Sequence, residues 1–328
     1  MTHKISKIGV FTSGGDAPGM NAAIRAVVRA STYFQKEVFG IMRGYEGMID
    51  GEISKLGSRS VGNIIQRGGT ILKSARSEAF RTKEGRLKAL ENLRKLGIDS
   101  LVAIGGDGTF TGLHHFYQEH GVPSICIPGT IDNDIAGTDY TIGYDTATNT
   151  AVEAIDKIRD TALSHNRLFF IEVMGRHSGY IALNSAIAGG AVAAIIPEEY
   201  TTFDQLYAQL EQTGRTNKKS SLVVVAEGSR MGGAMDLAKM VAQRSNYFDT
   251  KVTILGHLQR GGSPTYFDRV LASRMGVAAV EGLIDGKTDV MVGIDRNVMV
   301  YNKFDDIMKG RKHEIDPETL RLAKILSI

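Results

Sequence analysis

Two carboxylates lie two residues apart in one short polar segment, Pro128-Gly-Thr-Ile-Asp-Asn-Asp134. On an extended loop, side chains at positions i and i+2 point the same way, so Asp132 and Asp134 can face one crevice. One could accept the proton of a hydroxyl group while the other holds the loop. A carboxylate suits that task in phosphoryl transfer, because the attacking hydroxyl loses its proton only late in a loose transition state. The alternative is a polar Asx turn that has no catalytic role.

Two glycine-rich loops could bind phosphate. Ser13-Gly-Gly-Asp-Ala-Pro-Gly-Met-Asn21 follows the apolar run 8–12, and Gly105-Gly-Asp-Gly-Thr109 follows the apolar run 101–104. Backbone N–H groups at a helix N-terminus attract phosphate. An aspartate there would repel bare phosphate unless it holds the metal that neutralises it, which makes Asp107 a Mg²⁺ candidate. For either loop alone, a tight turn with a helix-capping aspartate is the alternative.

Two familiar nucleotide motifs are only nearly matched. Residues 106–112 contain one residue too many for G-x-G-x-x-G, and residues 282–288 contain one too few for a P-loop. The sequence therefore indicates neither a dinucleotide-dependent dehydrogenase nor a P-loop NTPase.

Short, continuously apolar segments alternate with helical patterns along most of the chain. Such segments predict parallel strands that helices cover on both faces, so the expected fold class is α/β. The predicted strands are 8–12, 101–104, 124–127, 168–173, 222–225 and 252–255. Helices are predicted over 146–160 and from Thr202, whose spacing to Gln205 forms a capping box.

Composition restricts the class of protein. A chain of 328 residues is long enough for one large or two smaller domains. Its 39 basic and 36 acidic residues give a net charge of +3, too balanced for a dedicated nucleic-acid binder. The single cysteine, Cys126, excludes an intrachain disulfide framework and a cysteine-rich zinc site. No signal-peptide pattern is present, and the apolar run 186–196 is shorter than the roughly 20 residues that span a bilayer. We expect a soluble, cytoplasmic protein without a membrane partner.

Five motifs together resemble one family, the bacterial ATP-dependent 6-phosphofructokinases, from residue 7 to about residue 275. They occur in the family's order: Thr12-Ser-Gly-Gly-Asp-Ala-Pro-Gly-Met-Asn21, Ile104-Gly-Gly-Asp-Gly-Thr109, Pro128-Gly-Thr-Ile-Asp-Asn-Asp134, Val173-Met-Gly-Arg176 and Gly256-His-Leu-Gln-Arg-Gly-Gly-Ser-Pro264. The resemblance implies transfer of the γ-phosphoryl group of Mg-ATP to the 1-hydroxyl of fructose 6-phosphate.

The resemblance also implies the architecture. We expect two doubly wound, mainly parallel-sheet, Rossmann-like domains with discontinuous boundaries. Residues 1–142 plus 256–306 would bind ATP, and residues 143–255 plus 307–328 would bind fructose 6-phosphate. The implied assembly is a homotetramer whose active sites are shared between subunits.

Site residues follow from the same resemblance. The ATP set is Gly15, Tyr45, Arg76, Ser77, Gly106, Asp107, Gly108 and Thr109, with Asp107 serving Mg²⁺. The fructose 6-phosphate set is Thr130, Asp132, Arg167, Met174, Gly175, Arg176, Glu227, Lys251, His257 and Arg260. Asp132 would be the base for the 1-hydroxyl, and the other catalytic residues would be Gly15, Arg76, Thr130 and Arg176.

The chain departs from the family pattern at two places. Lys251 stands where the family commonly has an arginine contributed by a neighbouring subunit, so the charge is kept but the bidentate geometry is lost. The effector site is matched only in part. Arg25, Arg29, Arg159 and Lys218 match its cations, whereas Ser58, Val192 and Thr216 replace two cations and a metal-binding glutamate.

Two alternatives remain open. One is a pyrophosphate-dependent relative, in which an aspartate typically stands at the position of Gly108 and a lysine at that of Gly129. The other is a non-catalytic paralogue that binds nucleotide and regulates a partner enzyme, which should have lost Asp107 or Asp132. Both glycines and both aspartates are present. The histidines outside the motifs are expected at the surface: His114, His115, His120, His165 and His177.

Overall fold

The computed structural model describes residues 5–165, 167–215, 221–309 and 314–327. The described residues form two compact units, and the chain passes between the units repeatedly. The first unit comprises residues of 1–131, 135–145 and 260–313, and the second comprises residues of 132–134, 146–259 and 314–328. Each unit contains a mainly parallel sheet with helices, which confirms the predicted α/β class with discontinuous domains.

Strands and helices alternate as the apolar pattern predicts. In chain order the elements are β1 (Lys7–Thr12), α1 (Met20–Tyr33), β2 (Glu37–Ile41), α2 (Gly44–Asp50), β3 (Ile53–Leu56), α3 (Lys83–Leu96), β4 (Ser100–Gly105), α4 (Asp107–His120), β5 (Ser124–Pro128), α5 (Tyr144–His165), β6 (Arg167–Val173), α6 (Tyr180–Ala188), β7 (Ala193–Ile195), α7 (Phe203–Arg215), β8 (Ser221–Ala226), α8 (Ala234–Arg244), β9 (Asp249–Ile254), α9 (Tyr266–Ile284), β10 (Val290–Asp295), β11 (Val298–Lys303), α10 (Phe304–Lys309) and α11 (Pro317–Leu326). Short 3₁₀ helices cover Ala79–Arg81 and Gly256–Arg260. Every predicted strand is present, although β9 begins three residues before the predicted 252.

The sheet of the first unit has the strand order β11-β10-β5-β4-β1-β2-β3. Its strands run parallel except at the two edges, where β3 and β11 pair antiparallel to their neighbours. All residues of β4 and β5 are buried, because helices cover both faces of the sheet. The chain builds the sheet outward in both directions from β1 and β4, so the loops after these two strands meet at the topological switch point, where doubly wound sheets bind ligands.

The sheet of the second unit has four parallel strands in the order β7-β8-β6-β9. Its central strand β6 places residues 174–176 at its carboxyl end, next to the loop that follows β8. The predicted capping box is confirmed at the start of α7. The Thr202 N–H donates to Gln205 Oε1 at 2.8 Å, and the Gln205 N–H donates to Thr202 Oγ1 at 3.3 Å. Within the described part of the chain, no helix is both long and apolar enough to cross a membrane.

Candidate functional site

The two glycine-rich loops lie side by side in the first unit. The Ser13 N–H donates to the Ile104 carbonyl oxygen at 3.0 Å, and Thr109 Oγ1 donates to the Ser13 carbonyl oxygen at 3.2 Å. At Gly105, an added Cβ would lie only 2.4 Å from the Ser13 carbonyl oxygen. The close approach of the two loops therefore requires glycine at position 105.

The second glycine loop leads directly into α4, which begins at Asp107. Asp107 and Gly108 are exposed in its first turn, where backbone N–H groups and the helix dipole favour an anion. No cluster of three or more histidine, cysteine, aspartate or glutamate side chains occurs among the described residues. A single exposed carboxylate beside a helix N-terminus, which favours an anion, still fits Mg²⁺, because protein-bound Mg²⁺ takes most of its ligands from substrate phosphates and water.

Tyr45, predicted to bind nucleotide, lies beneath the second glycine loop. Its side chain is buried, and its hydroxyl donates to the Thr109 carbonyl oxygen at 2.5 Å. The Tyr45 ring stacks on Phe80 with the ring centroids 4.0 Å apart. Burial raises the pKa of the Tyr45 hydroxyl, which therefore stays protonated and donating. In this arrangement Tyr45 supports the loop from the hydrophobic core.

Arg76 and Ser77 lie on the irregular segment between β3 and the first 3₁₀ helix. Ser74 Oγ donates to the Gly14 carbonyl oxygen at 2.6 Å, which ties this segment to the first glycine loop. Ser77 Oγ accepts from the Phe80 N–H at 3.2 Å. The Arg76 side chain is exposed and forms no hydrogen bond or ion pair with any residue that the structure describes. Its guanidinium group is thus free to bind an anion.

Arg260, predicted for the sugar set, lies in the first unit beside the first glycine loop. Its Nη1 donates to the Asp16 carbonyl oxygen at 3.2 Å. An added Cβ at Gly15 would lie only 2.1 Å from that nitrogen. The absence of a side chain at Gly15 therefore lets the guanidinium group lie against the loop.

The two predicted catalytic residues of the carboxylate loop belong to different units, because the chain crosses from the first unit to the second between residues 131 and 132. Thr130 lies at the end of the first stretch of unit one, and its carbonyl oxygen accepts from Thr141 Oγ1 at 2.6 Å. Asp132 begins a three-residue stretch of unit two and is only 6% exposed. Burial of a carboxylate in this loop is unusual for a purely solvated turn.

Residues 174–176 form a tight turn after β6 in the second unit. Gly175 has φ +147° and Arg176 has φ +53°, a left-handed conformation that is uncommon for a residue with a side chain. Glu227, from the loop after β8, accepts through Oε1 from the N–H groups of Gly175 at 3.2 Å and Arg176 at 2.6 Å. The Arg176 and His257 side chains are exposed near the carboxyl ends of the strands.

Arg167 lies at the opposite, amino-terminal end of β6, and Lys251 lies on β9 beside Phe169, two residues further along. Asp249 bridges them: its carboxylate accepts from Arg167 Nε at 2.9 Å and from Lys251 Nζ at 2.6 Å. These hydrogen bonds, first from Lys251 and then from Arg167, lower the pKa of Asp249. Strand β6 separates Arg167 from Val173 by six residue steps, which is about 20 Å. Within one chain, the structure therefore does not bring Arg167 and Lys251 together with Arg176.

Two of the predicted effector-site cations lie one helical turn apart on α1. Arg25 is half-buried and Arg29 is exposed. Burial, together with repulsion from Arg29, lowers the pKa of Arg25. Uncompensated like charges at this spacing destabilise a helix, so this pair is suited to receive an anion.

Ser58 is an exposed turn residue of the first unit, and the other effector-site residues belong to the second unit. The Arg159 guanidinium group donates to the Gly189 carbonyl oxygen. Val192, which replaces the metal-binding glutamate, is buried in the hydrophobic core of the unit. Lys218 and Thr216 lie outside the described residues.

The expectation that His114 lies at the surface was wrong. His114 is buried on α4, and its Nδ1 lies 2.9 Å from an Asp289 carboxylate oxygen. The ring also contacts Phe304 edge-on. Helical spacing gave a signal for this burial, because the apolar Phe110 lies four residues earlier on the same face. His115, His165 and His177 are exposed as expected, and His120 is partly buried.

Comparisons with known proteins agree with this fold. A family model described as Phosphofructokinase matches residues 7–283. The chain is 55% identical over 323 residues to the ATP-dependent 6-phosphofructokinase of Cytophaga hutchinsonii, with 98% of each chain covered. It is 56% identical over 324 residues to ATP-dependent 6-phosphofructokinase 1 of Thermus thermophilus, covering 99% of this chain and 100% of that one. A solved phosphofructokinase structure from Saccharomyces cerevisiae is similar with a TM-score of 0.89 and 35% identity. That match covers 98% of this chain and 50% of the yeast chain, so this chain spans half the length of its yeast relative.

Proposed function

Because the chain belongs to the phosphofructokinase family, we propose that it phosphorylates D-fructose 6-phosphate at the 1-hydroxyl with Mg-ATP. The products are fructose 1,6-bisphosphate and ADP, and the reaction is the committed step of glycolysis. One observation carries the proposal: two glycine loops are fixed together at the switch point of a doubly wound sheet, with the N-terminus of α4 facing outward. Relatives that are more than 50% identical to this chain over nearly its full length are named for this activity.

The ATP domain, predicted as residues 1–142 plus 256–306, positions the donor. The triphosphate of ATP lies along residues 106–109, and Gly15 lies beside the phosphate that is transferred. Asp107 would hold a Mg²⁺ ion, which would neutralise phosphate charge. The free Arg76 guanidinium group binds the γ-phosphate and stabilises the charge that develops in the transition state.

The sugar domain, predicted as residues 143–255 plus 307–328, positions the acceptor together with the carboxylate loop, residues 128–134. Asp132 accepts the proton of the sugar 1-hydroxyl while that oxygen bonds to the γ-phosphorus. The bond from the γ-phosphorus to the β–γ bridging oxygen breaks, and its electron pair leaves with ADP. Thr130 and Arg176 flank the reacting groups, so positioning and charge neutralisation supply most of the catalysis.

The fructose 6-phosphate site requires a second subunit. Met174, Gly175, Arg176, Glu227 and His257 form its wall at the carboxyl end of the second sheet. Of the cations for the 6-phosphate, Arg167 lies about 20 Å away at the other end of β6 in the same chain, and Lys251 lies beside Phe169, about 13 Å from Val173. That separation supports a homotetramer in which the neighbouring subunit supplies these two cations. The proposed location is the cytoplasm.

The decisive assay measures fructose 1,6-bisphosphate formation from fructose 6-phosphate and magnesium, first with ATP and then with pyrophosphate. We expect turnover with ATP only. Product formed only from pyrophosphate would identify the pyrophosphate-dependent alternative. Nucleotide binding without product from either donor would identify the non-catalytic paralogue.

Lys251→Ala is expected to raise the KM for fructose 6-phosphate about 10- to 150-fold, because one charge-assisted contact to phosphate is lost, worth roughly 1.5–3 kcal/mol. The KM for ATP should stay nearly unchanged. Initial rates at varied sugar and varied ATP measure both constants. Lys55→Ala is the matched control, because Lys55 also pairs with one carboxylate, on Glu37 at 2.6 Å, at an exposed position of the first unit. Equal increases in both KM values for Lys251→Ala would instead assign Lys251 to the fold.

ADP is expected to activate this enzyme weakly or not at all through the bacterial effector site. The buried Val192 offers no ligand to a metal on the diphosphate, and each lost charged contact costs roughly 1–3 kcal/mol. An effector that barely binds shifts a conformational equilibrium little. The measurement is initial velocity against fructose 6-phosphate with and without millimolar ADP, at saturating ATP. A several-fold fall in the half-saturating sugar concentration, abolished by Arg25→Ala and by Arg159→Ala, would contradict this prediction.

A further inference from the structure

A buried glutamine lies at the base of the turn formed by residues 174–176. Gln259 is 0% exposed, and its Oε1 accepts from the Met174 N–H at 2.8 Å. Only the oxygen of an amide side chain can accept this hydrogen bond. The orientation of the Gln259 amide is therefore determined by its backbone partner.

The other half of the same amide is unsatisfied. Gln259 Nε2 is buried and has no hydrogen-bond partner among the described residues. A buried donor without a partner is unfavourable, and a methionine of similar length would fill the space without that cost. The side chain is therefore retained for its oxygen, and that oxygen binds the turn.

The turn itself needs external support. Its left-handed Arg176 and its Gly175 at φ +147° are conformations that persist only when the surroundings hold them. Three consecutive N–H groups of the turn are each bound by a side-chain acceptor: Met174 by Gln259, and Gly175 and Arg176 by Glu227. Glu227 follows β8 and Gln259 follows β9, the two strands that flank β6. The turn is thus held from both sides of its strand.

We propose that Gln259 is a positioning residue of the fructose 6-phosphate site, which holds the Met174 N–H and thereby presents Arg176 to the substrate. Gln259 does not touch the sugar in this role and acts through Arg176. The inference rests on the proposed function, because it assigns the turn to the sugar site.

Gln259→Met is expected to raise the KM for fructose 6-phosphate about three- to tenfold, because one hydrogen bond is lost. The KM for ATP should be unchanged. Gln209→Met is the matched control. The Gln209 side chain also binds a backbone group of the second unit, donating to the Val192 carbonyl oxygen at 2.6 Å. That control should leave the KM for the sugar at the wild-type value. No change in the sugar KM for Gln259→Met would overturn the proposal.

A double-mutant cycle separates positioning from a general structural role. In an Arg176→Ala background, Gln259→Met should add little further increase in the sugar KM, because the residue through which it acts is gone. Independent, multiplicative effects would overturn the proposal. If Gln259→Met does not fold, Gln259→Leu removes the same hydrogen bond with a smaller apolar side chain, and its sugar KM should rise by the same three- to tenfold; an unchanged sugar KM would count against the role. Absence of fructose 1,6-bisphosphate formation by the wild type would instead refute the proposed function itself.

Discussion

Asp132→Asn is expected to lower kcat by about 10²–10⁴-fold while the KM values for both substrates change little. The amide has nearly the shape of the carboxylate but cannot accept the proton of the 1-hydroxyl. Asp132 is buried, so a change of similar size is needed to avoid a packing defect. Initial rates at saturating ATP and fructose 6-phosphate measure the loss of kcat, and thermal unfolding shows whether the fold is intact.

Asp134→Asn is the matched control for this prediction. It makes the same chemical change two residues along the same loop, at a half-buried position of the same unit. If Asp134 only holds the loop, its amide variant should keep most of kcat. A kcat for Asp132→Asn within a few-fold of the wild type, or a larger loss for Asp134→Asn, would remove Asp132 from the proton-transfer step.

The strands and the two phosphate loops were predictable from local sequence. Strands β4 and β5 are buried along their whole length, so they appear as unbroken apolar runs, and a glycine loop follows each of β1 and β4. That the two loops meet depends on strand order, which apolar runs do not encode. The hydrogen bond from Thr109 to the Ser13 carbonyl oxygen is a consequence of that order.

Side-chain environments were less predictable, because tertiary packing decides them. Nothing local indicates that the Tyr45 hydroxyl binds the Thr109 carbonyl oxygen from below, or that His114 pairs with Asp289 from a distant part of the chain. In the sequence, Gln259 is only one residue of the motif 256–264. Its contact with Met174 depends on the pairing of β6 with β9, which the sequence does not give. The separation of Arg167 from Arg176 could have been inferred from the sequence, since the predicted strand 168–173 lies between them.

Donor choice depends on two glycines that differ in their surroundings. An added Cβ at Gly108 would have no heavy atom within 4 Å, so a side chain there would point into open space. At Gly129, an added Cβ would lie 3.1 Å from both Ile104 Cγ2 and Met20 Cε, so a lysine would require those side chains to move. The two substitutions associated with pyrophosphate use therefore have different structural costs in this chain, and Gly108 gives the cleaner test.

Gly108→Asp is expected to lower kcat/KM for ATP by as much as about 10³-fold, because a carboxylate at about 4 Å from a phosphate oxygen costs roughly 4 kcal/mol at intermediate dielectric. The fold should be unaffected, since the position is open and an aspartate in the first turn of α4 favours the helix. Gly108→Asn adds nearly the same volume without the charge. Its kcat/KM for ATP should fall by at most about tenfold, the cost of one uncharged contact. Initial rates with ATP and with pyrophosphate, together with thermal unfolding of each variant, measure these effects. Equal losses of kcat/KM for the aspartate and asparagine variants would show that side-chain volume decides donor choice at this position. Faster wild-type turnover with pyrophosphate than with ATP would overturn the assignment of ATP as the donor.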